Sequence, residues 1–448
     1  MTFVEYLRRE KKRLGREPKV GFVGLGVSNR ALLDRALGLV SPLTVRCDRH
    51  PTDCPTGIRT ICGEGYLDGI DEDILFLSPS VRRDIPELSL AVARGTVLTS
   101  DCELFFDDAG DRLIFGVTGS DGKSTVTAMA SEMLLGIAVG NIGLPYADIE
   151  NYTGPAVAEL SSFNLSYLKP KTARSVITNI TPNHLNWHKS MAEYVAAKAN
   201  ILGSESVLSA DCEIYRTLIG GGPHTLFSSE LSPRELLGLK AEHLVYLNKG
   251  IIYYDGEQIL PVSALANQTK HGVLNFMAAT ALTWGYADIE KIREVGAGFE
   301  GLSHRCRLVH ESGGVRFFDS SIDTTPIRTA TTLSGLGKRV RIILGGRGKH
   351  LSLEPLRKPL SEYASYIGVY GEMGEEICAF LDTDTTLSRI PRCCHYRFSD
   401  TLCELCRGLR EGDTVLLSPA CTAYGEFQSF NERGDYFIST VRAMFPRK

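Results

Sequence analysis

The sequence predicts an α/β protein with parallel sheets, and three observations carry that prediction. Short apolar runs alternate with helical patterns along most of the 448 residues, which is the rhythm of parallel strands joined by helices. Glycine-rich turns follow two of these runs, at residues 24–29 and 119–125. The length corresponds to about three domains of ordinary size, each large enough to bury its own core.

The N-terminal part is predicted to be a Rossmann-like domain over residues 1–100. Strands are expected in the apolar runs 20–26, 43–48, 73–80 and 96–100. A helix is expected from about Asn29 to Leu37, after a glycine-rich turn that offers backbone N–H groups to a diphosphate. Asn29 stands where a dinucleotide-binding turn usually has its third glycine, which makes a nicotinamide cofactor the weaker interpretation.

The middle of the chain is predicted to be a central P-loop ATPase-like α/β domain over residues 101–302. It opens with RLIFGVTGSDGKSTVTAMASEMLL, an apolar strand followed by a glycine-rich turn and a helix. Further strands are expected in AVAEL and SVITNI. Asp255-Gly256 lies between two β-prone runs, which predicts a hairpin, and the helix VLNFMAATALTWGY follows it.

Residues 303–448 are predicted to form a C-terminal Rossmann-like α/β domain. The strand and helix rhythm resumes at Val315, with strands expected in VRFFDSS, RVRIILGG, SYIGVYG and DTVLLSPA. A last helix is expected near 433–445.

The composition excludes several classes of function. Lys and Arg number 49 and Asp and Glu number 53, so the formal net charge of -4 provides no basic field for nucleic acid. The charged start of the chain lacks the apolar core of a signal peptide, and no stretch of about 18 apolar residues follows. We therefore expect a cytoplasmic protein without nucleic-acid binding or membrane insertion. We also expect a monomer, although neither charge nor hydropathy determines the oligomeric state.

The twelve cysteines are too dilute for a disulfide scaffold, but some of them cluster near the C-terminus. The clustered residues are Cys393, Cys394, His395, Cys403 and Cys406. A zinc site is one interpretation. Cys403 and Cys406 are spaced to share one helix face beside leucines, which favours core packing.

The strongest motif lies directly after the strand LIFGV and before a helix. Its glycines let the backbone direct N–H groups at phosphate oxygens, while Lys123 supplies a cation and the Ser124 hydroxyl a Mg²⁺ ligand. The residues expected to bind phosphate are Gly119, Ser120, Asp121, Gly122, Lys123, Ser124 and Thr125.

Polar segments follow the strands of this domain. Glu159 and His184 each come after a strand, where open α/β sheets place ligands. Alone, Glu159 would be a solvated or cap residue and His184 a loop histidine, but beside a P-loop they form a candidate metal shell. Lys198 lies in the helical pattern SMAEYVAAKANIL, and sequence physics alone predicts a surface lysine there.

Several segments together resemble those of the Mur ligases, the ATP-dependent amide ligases of peptidoglycan precursor synthesis. These segments are TGSDGKST, GNIGLP, ELSSF, NITPNHLNWH, HGVLNFMAA, GLSHRC and LGGRGK, with Lys198 on its helix. Their order and spacing cover essentially the whole chain. The C-terminal LSPACTAYGEFQSFNERG is similar to a pattern of the branch of that family that adds D-glutamate.

The resemblance implies a two-step reaction. ATP phosphorylates the carboxylate of UDP-N-acetylmuramoyl-L-alanine, and the amino group of D-glutamate then attacks the acyl phosphate. It also implies Mg²⁺ at two sites and a carbamylated Lys198, which requires an amine with a lowered pKa. The implied catalytic residues are Lys123, His184 and Lys198.

The resemblance further implies the contacts of each ligand. Beyond the P-loop, the ATP contacts are Asn275, Arg305 and Asp319, and His304 lies at the junction with the third domain. The metal ligands are Ser124, Glu159, His184 and Lys198. The UDP-substrate contacts are Gly26, Val27, Ser28, Asp48, Arg49, Asn141, Ser161 and His184. The amino-acid contacts are Thr324, Lys349, Thr422 and Phe430.

Two segments depart from the family pattern. FDSSIDTTP (318–326) lacks the lysine of that segment, and Ala423-Tyr424 replaces a serine followed by a large apolar residue. Both belong to the amino-acid site, so Lys349 becomes the main cation for a substrate with two carboxylates. The alternatives are another Mur-type ligase, a folylpolyglutamate-type ligase, or a non-catalytic nucleotide-binding relative.

Overall fold

The structure is a computed structural model that describes residues 2–48, 54–107, 110, 112–149, 152–212, 218, 224–239, 241–337, 339–348 and 351–446. The chain divides into two compact units, residues 1–299 and 300–448. The first unit contains two sheets and the second contains one. The predicted α/β class is confirmed, while the division into three domains stays a prediction.

The first sheet has five parallel strands in the order β3-β2-β1-β4-β5. The strands are β1 Val20–Val23, β2 Leu43–Cys47, β3 Arg59–Cys62, β4 Ile74–Leu77 and β5 Val97–Thr99. The helices of this region are α1 Phe3–Leu14, α2 Val27–Ala36, α3 Pro86–Ala93 and α4 Asp101–Asp107. Sequence analysis missed β3, because this short edge strand buries none of its four residues and carries no continuous apolar run.

The second sheet has nine strands in the order β14-β13-β12-β11-β10-β9-β6-β8-β7, and β13 runs antiparallel to both of its neighbours, β12 and β14. The strands are β6 Ile114–Thr118, β7 Ile137–Gly140, β8 Ala156–Glu159, β9 Arg174–Ile177, β10 Ser206–Ser209, β11 His224–Ser228, β12 His243–Asn248, β13 Ile251–Tyr254 and β14 Glu257–Pro261. The helices are α5 Lys123–Met133, α6 Ser162–Leu165, α7 Met191–Ala199, α8 Pro233–Leu237, α9 Lys270–Thr283 and α10 Ile289–Gly298. The hairpin predicted at Asp255-Gly256 is confirmed between β13 and β14.

The third sheet has six strands in the order β15-β16-β20-β17-β18-β19, and β15 alone of these six is antiparallel to its neighbour. The strands are β15 Arg307–Ser312, β16 Val315–Asp319, β17 Val340–Gly345, β18 Ala364–Tyr370, β19 Arg392–His395 and β20 Thr414–Ala420. The helices are α11 Pro326–Leu336, α12 Arg357–Tyr363, α13 Gly374–Asp382, α14 Phe398–Leu405 and α15 Phe430–Met444.

Both faces of the central strands of the nine-stranded sheet are buried, which places the functional groups of these strands at the strand ends. Phe115 and Val117 of β6 point into one apolar cluster, and Ile114 points into the cluster on the other face. Strand β6 lies between β8 and β9, and all three run parallel. Their carboxyl ends therefore meet at one edge, where polar side chains can gather.

Two sequence expectations concern the surface of the molecule. In the part of the chain that the structure describes, no helix combines the length and apolar character needed to cross a bilayer. The expectation that Cys403 and Cys406 share a buried face is wrong, because Cys403 is exposed while Cys406 is buried. The buried face of α14 runs through Leu402 and Leu405, and Cys403 lies about 100° beyond it.

Candidate active site

The P-loop joins the end of β6 to the start of α5, and its two glycines are required by their surroundings. At Gly119, with φ of 150°, a Cβ atom would lie 1.9 Å from Thr178 Oγ1. At Gly122, with φ of 79°, a Cβ atom would lie 2.3 Å from Asn275 Oδ1. Gly122 caps α5 without a side-chain hydrogen bond, so the first N–H groups of the helix can face an anion. The structure thus brings Asn275 against the predicted phosphate loop.

Two lysines meet at this loop. Lys123 Nζ donates to the carbonyl oxygens of Gly119 at 2.9 Å and Ser120 at 2.8 Å. Lys198 Nζ donates to the same Gly119 carbonyl at 2.7 Å and to Thr118 Oγ1 at 3.2 Å. The surface position expected from sequence physics is wrong, since Lys198 is only 1% exposed. Burial, and secondarily the positive charge of Lys123, lowers the pKa of Lys198 well below its usual value.

An acidic side chain completes this edge of the sheet. Glu159 ends β8 beside Val117 and is 3% exposed. Its Oε2 atom is buried and has no hydrogen-bond partner among the described residues. Ser124 is buried in the first turn of α5. Carboxylate and hydroxyl oxygens are the ligands that Mg²⁺ prefers, and a buried unpaired carboxylate oxygen is costly without a cation. These residues fit a Mg²⁺ ion.

The segment after β9 holds the P-loop in shape. Thr178 Oγ1 donates to the Asp121 carbonyl at 2.6 Å, and the Asp121 N–H donates to Asn179 Oδ1 at 2.9 Å. The Ser120 hydroxyl lies 2.8 Å from the Tyr194 hydroxyl and donates to the Thr181 carbonyl at 2.9 Å. Ser120 is thus engaged by the protein, whereas the Asp121 side chain is exposed.

The loop before α7 carries two histidines with different environments. His184 is exposed, has a φ of 53°, and packs its ring edge-on against Phe163 with centroids 4.9 Å apart. His188, which sequence analysis missed as a site residue, is fully buried, with Nε2 2.8 Å from Ser162 Oγ. Burial lowers the pKa of His188 to about 4, so this imidazole is neutral near pH 7. Only its place in NHLNWH, four residues after His184, could have marked it.

The glycine-rich turn of the first sheet is pinned by Asn29. Its Nδ2 atom donates to the carbonyl oxygens of Val23 at 3.1 Å, Gly24 at 2.7 Å and Phe76 at 3.1 Å. The amide therefore holds the ends of β1 and β4 together at the position where a dinucleotide fold uses a glycine. Gly26 caps α2 without a side-chain hydrogen bond, so the helix N-terminus is available to phosphate.

The other predicted UDP-substrate contacts lie on several elements. Ser28 lies near Asp101, a buried carboxyl whose pKa burial raises to about 6. Asp48 is exposed at the end of β2, whereas Arg49 lies outside the described residues. Asn141 is exposed after β7, and its N–H lies 3.5 Å from the Glu159 carbonyl. Ser161 caps α6 by accepting from the Asn164 N–H at 3.1 Å.

In the second unit, His304 is held by Asp319. His304 Nδ1 lies 2.6 Å from Asp319 Oδ2, and this hydrogen bond raises the pKa of His304. Asp319 is 0% exposed, and its Oδ1 accepts from the Ser321 N–H at 2.9 Å. In this arrangement Asp319 offers no exposed oxygen to a ribose and instead orients His304. Arg305, the other predicted ATP contact in this unit, is half-buried next to His304.

A buried arginine organises the predicted amino-acid site, and sequence analysis did not select it. Arg433 is 0% exposed, and its Nε and Nη2 atoms donate to Ser321 Oγ at 2.9 Å and Ser321 O at 2.8 Å. Its Nη1 atom donates to the Tyr370 hydroxyl at 2.9 Å and the Cys421 carbonyl at 3.2 Å. Ser321 belongs to the segment that lacks the family lysine. The Arg-Gly pair near the end of the C-terminal pattern was the signal available.

The structure gathers some of the predicted amino-acid contacts around Arg433. The Phe430 carbonyl accepts from Ser321 Oγ at 2.8 Å, and Thr422 directly follows Cys421. Thr422 Oγ1 donates to the Arg347 carbonyl at 2.9 Å. Thr324 is half-buried in the segment after β16. The remaining predicted contact, Lys349, lies outside the described residues.

Comparison with known proteins shows the family of this chain. A family model described as the Mur ligase middle domain matches residues 117–283. A protein of Acetivibrio thermocellus named UDP-N-acetylmuramoylalanine--D-glutamate ligase is 34% identical, over 97% of this chain and 98% of the relative. A protein of Clostridium kluyveri with the same name is 32% identical, over 95% of this chain and 97% of the relative.

Solved structures show the same fold. UDP-N-acetylmuramate-alanine ligase from Thermotoga maritima has a TM-score of 0.58 at 19% identity, covering 95% of this chain and 100% of its own. A murein peptide ligase from Psychrobacter arcticus has a TM-score of 0.51 at 15% identity, covering 95% of this chain and 98% of its own. Given the full-length relatives above 30% identity, this chain belongs to the Mur ligase family.

Proposed function

We propose that this protein is an ATP-dependent ligase that joins D-glutamate to UDP-N-acetylmuramoyl-L-alanine. The names of the two relatives, which align over nearly the full chain, support the substrates. The observation that carries the reaction type is the group at the P-loop. It combines open helix N–H groups, the cation of Lys123, an unpaired Glu159 oxygen and a buried Lys198 amine.

The chemistry explains why such a group is needed. A substrate carboxylate oxygen attacks the γ-phosphorus of ATP, the bond to ADP breaks, and an acyl phosphate forms. The amine of D-glutamate attacks the acyl carbon, phosphate leaves with the bonding electrons, and the amine loses a proton. Negative charges converge in the first step, so charge neutralisation and positioning supply most of the rate enhancement. Lys123 would exchange its Gly119 and Ser120 carbonyl acceptors for a γ-phosphate oxygen.

Mg²⁺ would be held at the sheet edge by oxygen ligands and, at one of the two sites, also by the His184 imidazole nitrogen. We assign Ser124 and Glu159 to one ion, and His184 with a carbamylated Lys198 to a second. When bound, Mg²⁺ neutralises phosphate charge. Carbamylation consumes a neutral amine and CO₂ and yields an N–CO₂⁻ group and a proton. The buried position and lowered pKa of Lys198 favour the neutral amine that this step needs.

The other predicted ligand contacts keep their proposed roles, except that Asp319 is reassigned and Arg433 is added as a positioning residue. Asn275 and Arg305 contact the nucleotide, while Asp319 positions His304. The turn from Gly26 to Ser28 binds the UDP diphosphate. Arg433 is a positioning residue that holds the chain beside the amino-acid contacts, rather than a substrate contact, because it is fully buried. We further propose that the enzyme is monomeric and cytoplasmic.

Phosphate release by the purified protein tests the proposal. The assay contains ATP and Mg²⁺ with UDP-N-acetylmuramoyl-L-alanine, and D-glutamate is present, absent or replaced by L-glutamate or D-aspartate. Release should require both the nucleotide sugar and D-glutamate. Lys123→Ala is the active-site control and should abolish it, because the γ-phosphate loses its cation.

Each other outcome favours a different alternative. Preference for another amino acid would leave the ligase mechanism in place and would indicate that the altered segments 318–326 and 423–424 change the amino-acid specificity. Release that ignores the nucleotide sugar but responds to a folate would indicate a folylpolyglutamate-type ligase. Nucleotide binding without release under any pairing would indicate a non-catalytic relative.

A further inference from the structure

The C-terminal unit contains three metal-ligand side chains that the proposed ligase reaction does not use. Cys393 Sγ, His395 Nε2 and one Glu404 carboxylate oxygen all lie within 4.8 Å of one another. His395 Nε2 and Glu404 Oε2 are 2.7 Å apart. None of the three is among the residues assigned to ATP, Mg²⁺, the nucleotide sugar or the amino acid.

Local structure explains why these side chains meet. Cys393 and His395 are two residues apart on β19, the edge strand of the six-stranded sheet, so they point to one face. Helix α14 covers that face, where the Cys393 thiol lies 3.8 Å from the Thr401 carbonyl. Glu404 follows Thr401 by three residues and shares its side of the helix. Cys394 points the other way and is exposed.

We propose that Cys393, His395 and Glu404 bind a divalent transition-metal ion, of which Zn²⁺ best matches the donors. Zn²⁺ accepts sulfur, imidazole nitrogen and carboxylate oxygen together, whereas Mg²⁺ prefers oxygen alone. Tetrahedral binding places donors about 3.3–3.6 Å apart, so the widest pair must close by only about 1.3 Å. Binding breaks the thiol S–H bond, forms a Zn–S bond and releases the proton to solvent. The proton of the His395 Nε2–Glu404 Oε2 hydrogen bond is also displaced, to His395 Nδ1 or to solvent.

Exposure of the site allows an ion to enter. Cys393 is 5% exposed, whereas the side chains of His395 and Glu404 are 35% and 37% exposed. Water can therefore complete the fourth position. The ion would link the edge strand β19 to helix α14, so its expected effect is to stabilise this unit rather than to change the ligase chemistry.

Cobalt absorption tests the site without reference to turnover. The full-length protein is stripped with EDTA, dialysed, kept reduced with a phosphine and titrated with Co²⁺. A near-ultraviolet thiolate-to-cobalt band should saturate at one ion per chain and disappear when Zn²⁺ is added. Cys393→Ser should lose the band. Cys394→Ser, the adjacent exposed cysteine, is the matched control and should keep it. Oxygen ligands at Glu159 cannot produce a sulfur band, so the result is independent of the proposed function.

A second variant keeps the test decisive if Cys393→Ser fails to fold. Glu404→Gln changes a half-exposed side chain and should weaken Zn²⁺ binding at least about tenfold, because loss of even an outer-shell partner costs that much. Zn²⁺ should raise the thermal unfolding midpoint of the wild-type protein and leave that of Glu404→Gln less changed. No sulfur band, a band that survives in Cys393→Ser, or Zn²⁺ affinity unchanged in Glu404→Gln would each overturn the proposal.

Discussion

Lys198 is the residue on which the proposed chemistry depends most. Lys198→Ala removes the amine that would take up CO₂, so the rate of phosphate release should fall by about a hundredfold or more. Formate or acetate should restore part of that rate, because a small carboxylate can occupy the space and supply an anionic oxygen. Lys171→Ala, which changes an exposed lysine, is the control and should keep full activity. A fully active Lys198→Ala protein would remove the carbamate from the mechanism.

Asp101 makes the stability of the first unit depend on pH. Its pKa is about 6 in the folded chain, against a usual 3.8, because burial disfavours the ionised carboxylate. The folded state therefore binds the proton more tightly, and the free energy of unfolding falls as pH rises from about 4 to 6. The shift corresponds to at most about 3 kcal/mol.

Asp101→Asn removes that ionisation while keeping an acceptor for the Cys102 N–H. In urea unfolding, the stability of the variant relative to the wild-type protein should rise from about pH 4 to about pH 6 and stay constant above that. Asp34→Asn on α2, an exposed carboxyl, serves as the control. An Asp101→Asn gain that does not change between pH 5 and 8 would contradict the raised pKa.

At the scale of elements, one glycine of the P-loop and one glycine of the turn between β12 and β13 have nearly the same backbone conformation but different surroundings. Gly122 and Gly250 have φ values of 79° and 78°, but a Cβ meets Asn275 at the first and nothing within 4 Å at the second. Alanine at either position costs about 1–2 kcal/mol of backbone strain. Only Gly122→Ala should also displace the phosphate loop, lowering kcat/KM on the order of a hundredfold.

The measurement compares the melting temperatures and phosphate-release rates of the two variants. If the two variants have similar melting temperatures and only Gly122→Ala loses activity, then the loss comes from displacement of the phosphate loop and not from backbone strain. Equal activity in both variants would mean that the loop tolerates a side chain beside Asn275.

Some elements were predictable from local pattern and others were not. The turns at 24–29 and 119–125 were predictable because glycine is required there by backbone shape. The edge strands β3 and β19 were not, because half-exposed strands carry no continuous apolar run. The burial of Lys198 was also not predictable. The residue pattern of a helix does not show that one of its polar side chains packs against the end of a sheet.

At the scale of the whole molecule, the six-stranded sheet should fold without the rest of the chain. Its two apolar clusters draw only on residues after 300. The cluster under the five-stranded sheet instead includes Leu104 and Ala147, from beyond residue 100. We expect residues 300–448, expressed alone, to unfold cooperatively in urea. Residues 1–100 alone should bind an apolar dye, because part of their core is missing.

Far-UV circular dichroism and dye fluorescence of the two fragments check this prediction. A 300–448 fragment without a cooperative transition would show that its sheet depends on the first unit. A well-packed 1–100 fragment would show that Leu104 and Ala147 are dispensable. Such contributions could not be predicted from sequence, because they depend on contacts between residues far apart in the chain.

Lys123 and Lys198 donate to the same Gly119 carbonyl oxygen, but we expect the two amines to differ in chemical behaviour. Two ammonium groups on a single oxygen would repel each other, so the arrangement favours one proton-bearing amine and one amine with a free electron pair. In the proposed reaction Lys123 would hold the γ-phosphate and the Lys198 amine would be the nucleophile that takes up CO₂. If this proposal is right, small electrophiles that resemble CO₂, such as cyanate, should react with Lys198 in preference to Lys123, and a covalent inhibitor of the enzyme would have to be small enough to reach this buried amine.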